Sequence, residues 1–334
     1  MKSNKKAYLV ILVLYFSGIS ICKSREFVVE PNTQNGINNE IFAVSYQDLI
    51  DLMPNTLEKI IASSRRYGSF VLKIDDQHGN SLLQIKQCAL KFFSSPLQQK
   101  QEVAVKKGSS RGFVDLRNPN EGNFLEMFAY GLLDPSKTNK WPKSFDCMEK
   151  LCMSHIKDLH KIGIEITKEI YSYFKLDQEF ITMNSLKSKT GATLNYYPVK
   201  NNHSIKSLIK EHIDFGLLGI VHTFGSGGLE IFDYDKNLWI PVSYDSDNYI
   251  VNIGGMLSLL VKGKIKPCLH RVIKKQNTDR LSINVFVELD KDAKIDLQES
   301  GDRELKNIQT YGDAIRIIEK RYFGDQLRND KNNS

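Results

Sequence analysis

The chain has 334 residues, of which 41% are hydrophobic and 25% are charged, and its formal net charge is +7. This composition is that of a soluble globular protein, long enough to bury a sizeable core in one large or two ordinary domains. The basic residues form no dense block with interleaved aromatic residues, which argues against a nucleic-acid partner.

The first 24 residues have the layout of a secretory signal peptide. Lysines precede an apolar run over residues 7–16, and small residues follow it up to Ser20. The run is shorter than the about 20 apolar residues of a membrane-spanning helix, so cleavage after Ser20 or Cys22 is favoured over an uncleaved anchor. We therefore expect a protein of the secretory pathway, in the lumen of the endoplasmic reticulum or secreted, without a stable membrane span after cleavage.

Four cysteines follow the predicted signal: Cys88, Cys147, Cys152 and Cys268. They are widely spaced and form no CxxC pattern of a metal site. An oxidising compartment would allow one disulfide, but the spacing favours buried free thiols. Cys147 and Cys152 lie five residues apart on one predicted helix and are poorly placed to bond each other.

Residues 25–185 form the first predicted unit after the signal, a helical region with leading strands. Apolar residues at helical spacing mark its helices, and short apolar runs mark its strands. In chain order we predict a helix over 46–66, a strand over 67–74, a helix over 81–93, and a long helix from an N-cap at Ser144 to about residue 175. His155 and His160 on the long helix lack the i, i+4 spacing of a zinc helix, and we expect them at the surface or in an interface.

Residues 186–325 form the second predicted unit. From Thr193 onward the pattern changes to short strands separated by Gly, Asn and Asp turns, which is typical of a jelly roll or barrel. Residues 311–323 return to helical spacing. The fold class is therefore predicted to be α+β with a mainly β core, an N-terminal helical region and a C-terminal helix.

His212 and Asp214 alternate along a predicted strand, so both side chains point to the same face. His270, from a distant strand, would complete two imidazoles and one carboxylate around a metal. That ligand set is the facial triad of non-haem Fe(II) oxygenases, whereas zinc usually takes a fourth protein ligand. The alternative is three unrelated polar residues, because a His-x-Asp pair alone also occurs by chance. His222, eight residues after Asp214, is expected to be a packed histidine rather than a ligand.

Arg280 and Ser282 also alternate to one face, ten residues after His270. The planar guanidinium offers a fork that matches a carboxylate, which a lysine lacks, and the hydroxyl adds a further hydrogen bond. Metal ligands followed by a carboxylate clamp indicate an oxygenase that uses a keto acid.

These motifs resemble the isopenicillin N synthase-like family of 2-oxoglutarate/Fe(II) dioxygenases over most of the chain after about residue 40. The segments that carry the resemblance are Asn195-Tyr196-Tyr197-Pro198, His212-Ile213-Asp214-Phe215-Gly216, Gly227-Gly228-Leu229-Glu230, Trp239-Ile240-Pro241-Val242, Val251-Asn252-Ile253-Gly254, His270-Arg271-Val272 and Arg280-Leu281-Ser282. The chain departs from the family at Gly255, where an acidic residue is common, and this change bears on a local turn rather than on the metal.

The resemblance implies a double-stranded β-helix (jelly roll, cupin-like) that binds Fe(II), 2-oxoglutarate and O2. It also implies that Tyr197 and Asn195 donate or accept hydrogen bonds to 2-oxoglutarate. The expected reaction is hydroxylation or desaturation of a small-molecule or peptide substrate by a monomer. Two alternatives stay open: an iron oxidase of the same fold that uses no 2-oxoglutarate, and an inactive binding module. We expect the substrate pocket near Phe113, Met127, Leu217 and Phe286.

Overall fold

The computed structural model describes most of the chain after residue 40. The described residues are 41–53, 55–74, 76–106, 109–117, 125–132, 139–186, 190–198, 207–242, 248–273, 278–299 and 304–318. The predicted signal peptide lies outside them and stays a prediction. Within these ranges no helix combines the length and the apolar character that crossing a membrane requires.

Twelve strands form two sheets that face each other. In chain order the strands are β1 Ala43–Ser45, β2 Ser69–Lys73, β3 Gly112–Asp115, β4 Glu126–Gly131, β5 Gly191–Tyr197, β6 Ser207–His212, β7 Leu218–His222, β8 Leu229–Asp233, β9 Leu238–Pro241, β10 Asn248–Ile253, β11 His270–Ile273 and β12 Arg280–Val287. The major sheet has the order β1-β2-β10-β7-β12-β5-β4-β3, and the minor sheet has the order β6-β11-β8-β9. Every strand pair is antiparallel except β1–β2. These two sheets confirm the predicted jelly-roll core.

Most helices precede the core strands in the chain. They are α1 Tyr46–Ile50, α2 Thr56–Arg66, α3 Asp76–Phe93, α4 Leu97–Glu102, α5 Asp146–Tyr173, α6 Gln178–Met183 and α7 Gly255–Leu260, with a 3-10 helix at Leu305–Asn307. A C-terminal helix is described over residues 311–318.

Two predicted helix boundaries were wrong. The helix expected over 46–66 is split in two, because Leu52 and Asn55 adopt left-handed φ angles of 50° and 68° on either side of Pro54 in the sequence. The long helix begins after Phe145, which provides no side-chain cap, so Ser144 is not its N-cap.

Alternation along the strands of the major sheet divides the core into two regions. One face packs against the helices and carries, for example, Leu281, Ile283 and Val285 of β12. The opposite face, here called the inner face, looks towards the minor sheet, and Val221 and Ile250 there meet apolar residues of β8 and β11. Strands β1 and β2 of the first predicted unit lie in the same sheet as β12 of the second predicted unit. The division of the chain between residues 185 and 186 stays a prediction.

The histidines of the long helix are not surface residues, contrary to the prediction. His155 is buried, and its Nε2 lies 3.0 Å from the Tyr249 hydroxyl. His160 is partly buried, and its Nδ1 lies 2.9 Å from Oγ1 of Thr190. The spacing had excluded a zinc helix but could not reveal that α5 lies under the sheet. His222 is buried against Tyr249, which confirms it as a packed histidine.

The prediction of four free thiols was wrong for two of them. Cys88 and Cys147 form a disulfide with an S–S distance of 2.03 Å, while Cys152 and Cys268 are free and buried. The disulfide joins the end of α3 to the start of α5, two helices that pack side by side. Their neighbouring positions depend on tertiary packing, which cysteine spacing does not encode.

Removing this disulfide is expected to lower the free energy of unfolding by about 2–4 kcal/mol, because it closes a loop of 59 residues in the unfolded chain. Denaturant unfolding of the Cys88→Ala/Cys147→Ala variant would measure the loss. A reductant should destabilise the wild type and leave the variant unchanged. An equal effect of the reductant on both proteins would contradict the assignment.

Candidate metal and co-substrate site

His212, Asp214 and His270 come together at one end of the minor sheet. His212 ends β6, His270 begins β11, and the two residues lie directly opposite each other in the strand pairing. Their ring centroids are 4.1 Å apart, and Nε2 of His212 and of His270 lie 3.9 and 4.0 Å from Oδ1 of Asp214. All three residues are buried, and one ligand atom from each lies within 4.8 Å of the other two.

Backbone carbonyls orient both imidazoles. Nδ1 of His212 lies 2.8 Å from the carbonyl oxygen of Lys210, and Nδ1 of His270 lies 3.1 Å from that of Cys268. A carbonyl can only accept, so each Nδ1 donates a proton to it and each Nε2 is the ring nitrogen left towards Asp214. Burial, together with the nearby His270, holds the pKa of His212 well below its usual value, which keeps that ring neutral.

Asp214 contributes an oxygen that lacks a donor. Its Oδ1 is buried without a hydrogen-bond partner, and burial raises the pKa of the carboxyl despite the opposing effect of His270. Its backbone carbonyl accepts a 2.8 Å hydrogen bond from the amide of Gly255, at the first turn of α7. Two imidazoles and one unsatisfied carboxylate oxygen match the ligand set that Fe(II) takes in a facial triad.

Gly219 provides the space in which the Asp214 carboxylate lies. A Cβ at residue 219 would be 2.4 Å from Oδ2 of Asp214, closer than any real contact. Gly219 lies on β7 opposite Asn252 of β10, whose Nδ2 is also buried without a partner. The ligand carboxylate therefore requires a residue without a side chain beside it.

The Gly219→Ala variant is expected to bind Fe(II) about 10–100-fold more weakly, because the methyl group would displace the carboxylate. A matched control is Gly255→Ala, where the new Cβ would come no closer than 3.6 Å to the Asp214 carbonyl. Metal titration of both variants measures the difference. Equal Fe(II) affinities would show that the carboxylate can move without loss.

Arg280 and Ser282 lie on the inner face of β12, opposite Tyr197 and Asn195 of β5. Nη1 of Arg280 donates to the Ser282 hydroxyl at 3.1 Å, and Nε donates to the Gly227 carbonyl at 3.1 Å. The guanidinium carbon lies 5.3 Å from the centre of the Tyr197 ring. The four residues named from the sequence thus form one continuous polar patch.

This patch lacks a counter-charge. Arg280 is buried, and among the described residues no carboxylate pairs with it. Oη of Tyr197 and Oδ1 of Asn195 are buried without hydrogen-bond partners. Burial raises the pKa of Tyr197 to about 12, so its hydroxyl keeps a proton to donate. A buried cation beside the unused hydroxyl donor of Tyr197 suits a bound carboxylate, because burying a charge without a partner is costly.

The residues expected around the pocket divide between the two faces. Met127 and Phe286 lie on the inner face, since they pair with Asn195 and Gly219. Phe113 and Leu217 pack in the core between the sheet and the helices, so their assignment to the pocket was wrong. Leu217 directly follows the His-x-Asp segment, and closeness in sequence did not indicate its face.

Sequence analysis missed Thr193 and Asn284, which continue the polar patch along β5 and β12. The signal was available, because Thr193 alternates with Asn195 and Asn284 alternates with Ser282. It also missed Glu288, which has no motif around it. The Glu288 carboxylate accepts a hydrogen bond from Tyr311 of the C-terminal helix.

Glu288 is expected to make stability depend on pH. Burial raises the pKa of Glu288 from 4.5 to about 7. The folded protein therefore holds this proton more tightly than the unfolded chain, and stability is lost as pH rises through about 7. Relative to wild type, Glu288→Gln should gain about 1–3 kcal/mol above about pH 8 and nothing below about pH 4. Denaturant unfolding of the metal-free proteins across this range checks it, and a constant difference would contradict it.

Comparison with known proteins agrees with this geometry. Residues 191–289 match the family model of the 2OG-Fe(II) oxygenase superfamily. The chain is 24% identical over 284 residues to feruloyl CoA ortho-hydroxylase 2 of Arabidopsis thaliana, covering 80% of this chain and 77% of that protein.

Solved structures share the fold. A 2OG-Fe(II) oxygenase family protein from Caulobacter crescentus superposes with a TM-score of 0.73 at 22% identity, covering 84% of this chain and 98% of that chain. A full-length Neurospora crassa protein, solved in complex with alpha-KG, gives a TM-score of 0.71 at 18% identity, covering 86% and 98%. The matched family segment spans β5 to β12, which carry both histidines and the polar patch. Residues 191–289 therefore form a domain of the 2OG-Fe(II) oxygenase superfamily.

Proposed function

We propose that this oxidoreductase is a dioxygenase that couples oxidative decarboxylation of 2-oxoglutarate to hydroxylation, or desaturation, of an organic substrate. In the hydroxylation, one oxygen atom of O2 enters succinate, formed together with CO2, and the other enters the substrate as a hydroxyl group. His212, Asp214 and His270 would hold Fe(II). Arg280 and Ser282 would bind the distal carboxylate of 2-oxoglutarate, with Tyr197 and Asn195 as further hydrogen-bond partners.

The observation that carries this proposal is the buried Arg280 on the inner face of the major sheet, which looks towards the metal-binding group of His212, Asp214 and His270 at one end of the minor sheet. A buried guanidinium without a carboxylate partner among the described residues is unfavourable unless an anion binds there. The pair of Arg280 and Ser282 argues against an oxidase that uses no 2-oxoglutarate, since such an enzyme would need a carboxylate on its substrate to balance this charge. The same observation argues against an inactive module, which would have no need for the unsatisfied Asp214 oxygen.

Some residues of the site would hold the metal ion, and others exclude water from it. Bound Fe(II) would supply the reaction with O2 that protein side chains cannot carry out. The two imidazoles and the carboxylate would hold it from one side and leave the opposite side to co-substrate and O2. Val221, Ile231 and Val272 pack between the sheets and keep water away from the site.

We further propose that the protein acts as a monomer in the secretory pathway, on a small-molecule or peptide substrate. The predicted signal peptide supports this location, and so does the Cys88–Cys147 disulfide, since disulfides form in oxidising compartments. Expression of the full-length chain in eukaryotic cells, followed by fractionation, tests it. Recovery of the protein with its N-terminus intact in the cytosol would contradict the proposal.

The reaction is tested by anaerobic titration of the purified protein with Fe(II) and then with 2-oxoglutarate. A visible charge-transfer band is expected when the keto acid chelates the metal. Tight Fe(II) binding without a band would reject the co-substrate and favour an oxidase. Failure to bind Fe(II) at all would favour a binding module.

A further inference from the structure

A second polar pair continues the patch of Arg280 and Ser282 along the inner face. Thr193 on β5 lies opposite Asn284 on β12, one step beyond the pair of Asn195 and Ser282. Alternate residues of a strand are separated by about 7 Å, so this pair lies past the residues assigned to 2-oxoglutarate. We call Thr193 and Asn284 the distal pair.

The side chains of the distal pair make no hydrogen bonds to other described residues. Thr193 is fully buried, and its Oγ1 has no partner. Oδ1 of Asn284 is buried without a partner, although the residue as a whole is partly exposed. Exchanging the oxygen and the nitrogen of the Asn284 amide would not provide a hydrogen bond, because neither atom has a partner among the described residues. Buried polar atoms without partners are rare, and such atoms at a site point to a ligand or an ordered water.

Beyond the distal pair the inner face carries small residues around one large side chain, Phe286. Along β4 the inward side chains shrink from Met127 to Ala129 to Gly131. At the next step Phe286 of β12 lies between Gly191 of β5 and Gly219 of β7. Gly219 adjoins the Asp214 carboxylate. The distal pair therefore lies between the co-substrate residues and a glycine-rich stretch beside the metal-binding group.

The side chain of Arg111 borders the space above Gly131. A Cβ there would be 2.7 Å from Nη2 of Arg111, which donates to the Leu132 carbonyl at 2.9 Å. Arg111 is buried and engaged by backbone, so it bounds the stretch rather than offering a free charge to a ligand.

We propose that the distal pair binds an uncharged polar group of the primary substrate, a carboxamide or a hydroxyl, and so sets which carbon faces the metal. A threonine hydroxyl and an asparagine amide can each donate and accept, which matches a group that does both. Neither residue carries a charge to balance a carboxylate or an ammonium group. This inference rests on the proposed dioxygenase function.

The test uses the full chain loaded with Mn(II) and saturating 2-oxoglutarate, with acetamide as the probe. Mn(II) shortens the relaxation time of protons that bind near it, so even weak binding of the acetamide methyl group is measured. In the double variant Thr193→Val/Asn284→Leu the enhancement should fall at least about fivefold. Thr167→Val, a buried substitution of the same kind on α5, should leave it unchanged.

Three controls separate the outcomes. The Fe(II)–2-oxoglutarate band should appear at the same concentration in wild type and double variant, since Arg280 and Ser282 are intact. The variant should unfold at a temperature no lower than wild type, because its unpaired polar atoms are gone. If the relaxation enhancement is unchanged in the double variant, or absent in wild type, the inference is overturned while the proposed function stands. The distal pair would then bind only ordered water. Absence of the band in wild type overturns the proposed function and this inference with it.

Discussion

His212→Ala is expected to weaken Fe(II) binding by more than about 100-fold, since replacing residues that merely support metal ligands already costs about 10–100-fold. The substitution removes one of the two imidazole ligands and leaves Asp214 and His270 to hold the ion. Anaerobic titration, followed through the charge-transfer band or a competing chelator, measures the change. His270→Ala should have the same effect, because the two rings face Asp214 from nearly equal distances.

His160→Ala is the matched control for loss of an imidazole. Its ring bonds Thr190 on the helix side of the sheet, away from the metal-binding group. The Fe(II) affinity of the His160→Ala variant should equal that of wild type. If His212→Ala kept the wild-type affinity, the ligands would have to be sought elsewhere, whatever the geometry of the three residues.

Arg280→Ala should raise the dissociation constant of 2-oxoglutarate by more than about 100-fold, as expected for about 3 kcal/mol lost with a buried charge pair. The affinity for Fe(II) alone should not change, because Arg280 contacts Ser282, Gly227 and the Tyr197 ring rather than the metal-binding group. Titration of the Fe(II) protein with 2-oxoglutarate measures it.

Two further variants separate charge from shape. Arg280→Lys keeps the charge but loses the fork, and about tenfold weaker binding is expected. Ser282→Ala removes one hydrogen bond, and a loss of about fivefold is expected. Should Arg280→Ala bind 2-oxoglutarate as tightly as wild type, the carboxylate lies elsewhere and the oxidase alternative gains ground.

Strand alternation, which has a fixed period, predicted that Arg280 and Ser282 share a face of β12. It predicted the same of His212 and Asp214, but β6 ends at His212, so Asp214 joins the metal-binding group from the segment after the strand. The pairing of His270 with His212 could not be derived in this way, since register between distant strands depends on the whole sheet. Resemblance to a family with the same motif order supplied it.

Apart from the helix boundaries, what the sequence did not reveal has one cause, which is the packing of elements far apart in the chain. The Cys88–Cys147 bond, the burial of His155 and the inward position of Gly219 all depend on which helix or strand lies next to which. A composition or a spacing carries no such information. Thr193 and Asn284 are different, because alternation from Asn195 and Ser282 would have placed them on the inner face.

Strand β12 serves two environments at once, with Leu281, Ile283 and Val285 towards the helices and Arg280 and Ser282 towards the site. A deletion or insertion of one residue within β12 would exchange its two faces. The Arg280 guanidinium would then point into the apolar core, and Leu281 would point towards the polar patch. Descendants of this chain can thus vary β12 by substitution but not in length. New substrate preferences would arise most readily by replacing Asn284, the inward residue of β12 next after Ser282.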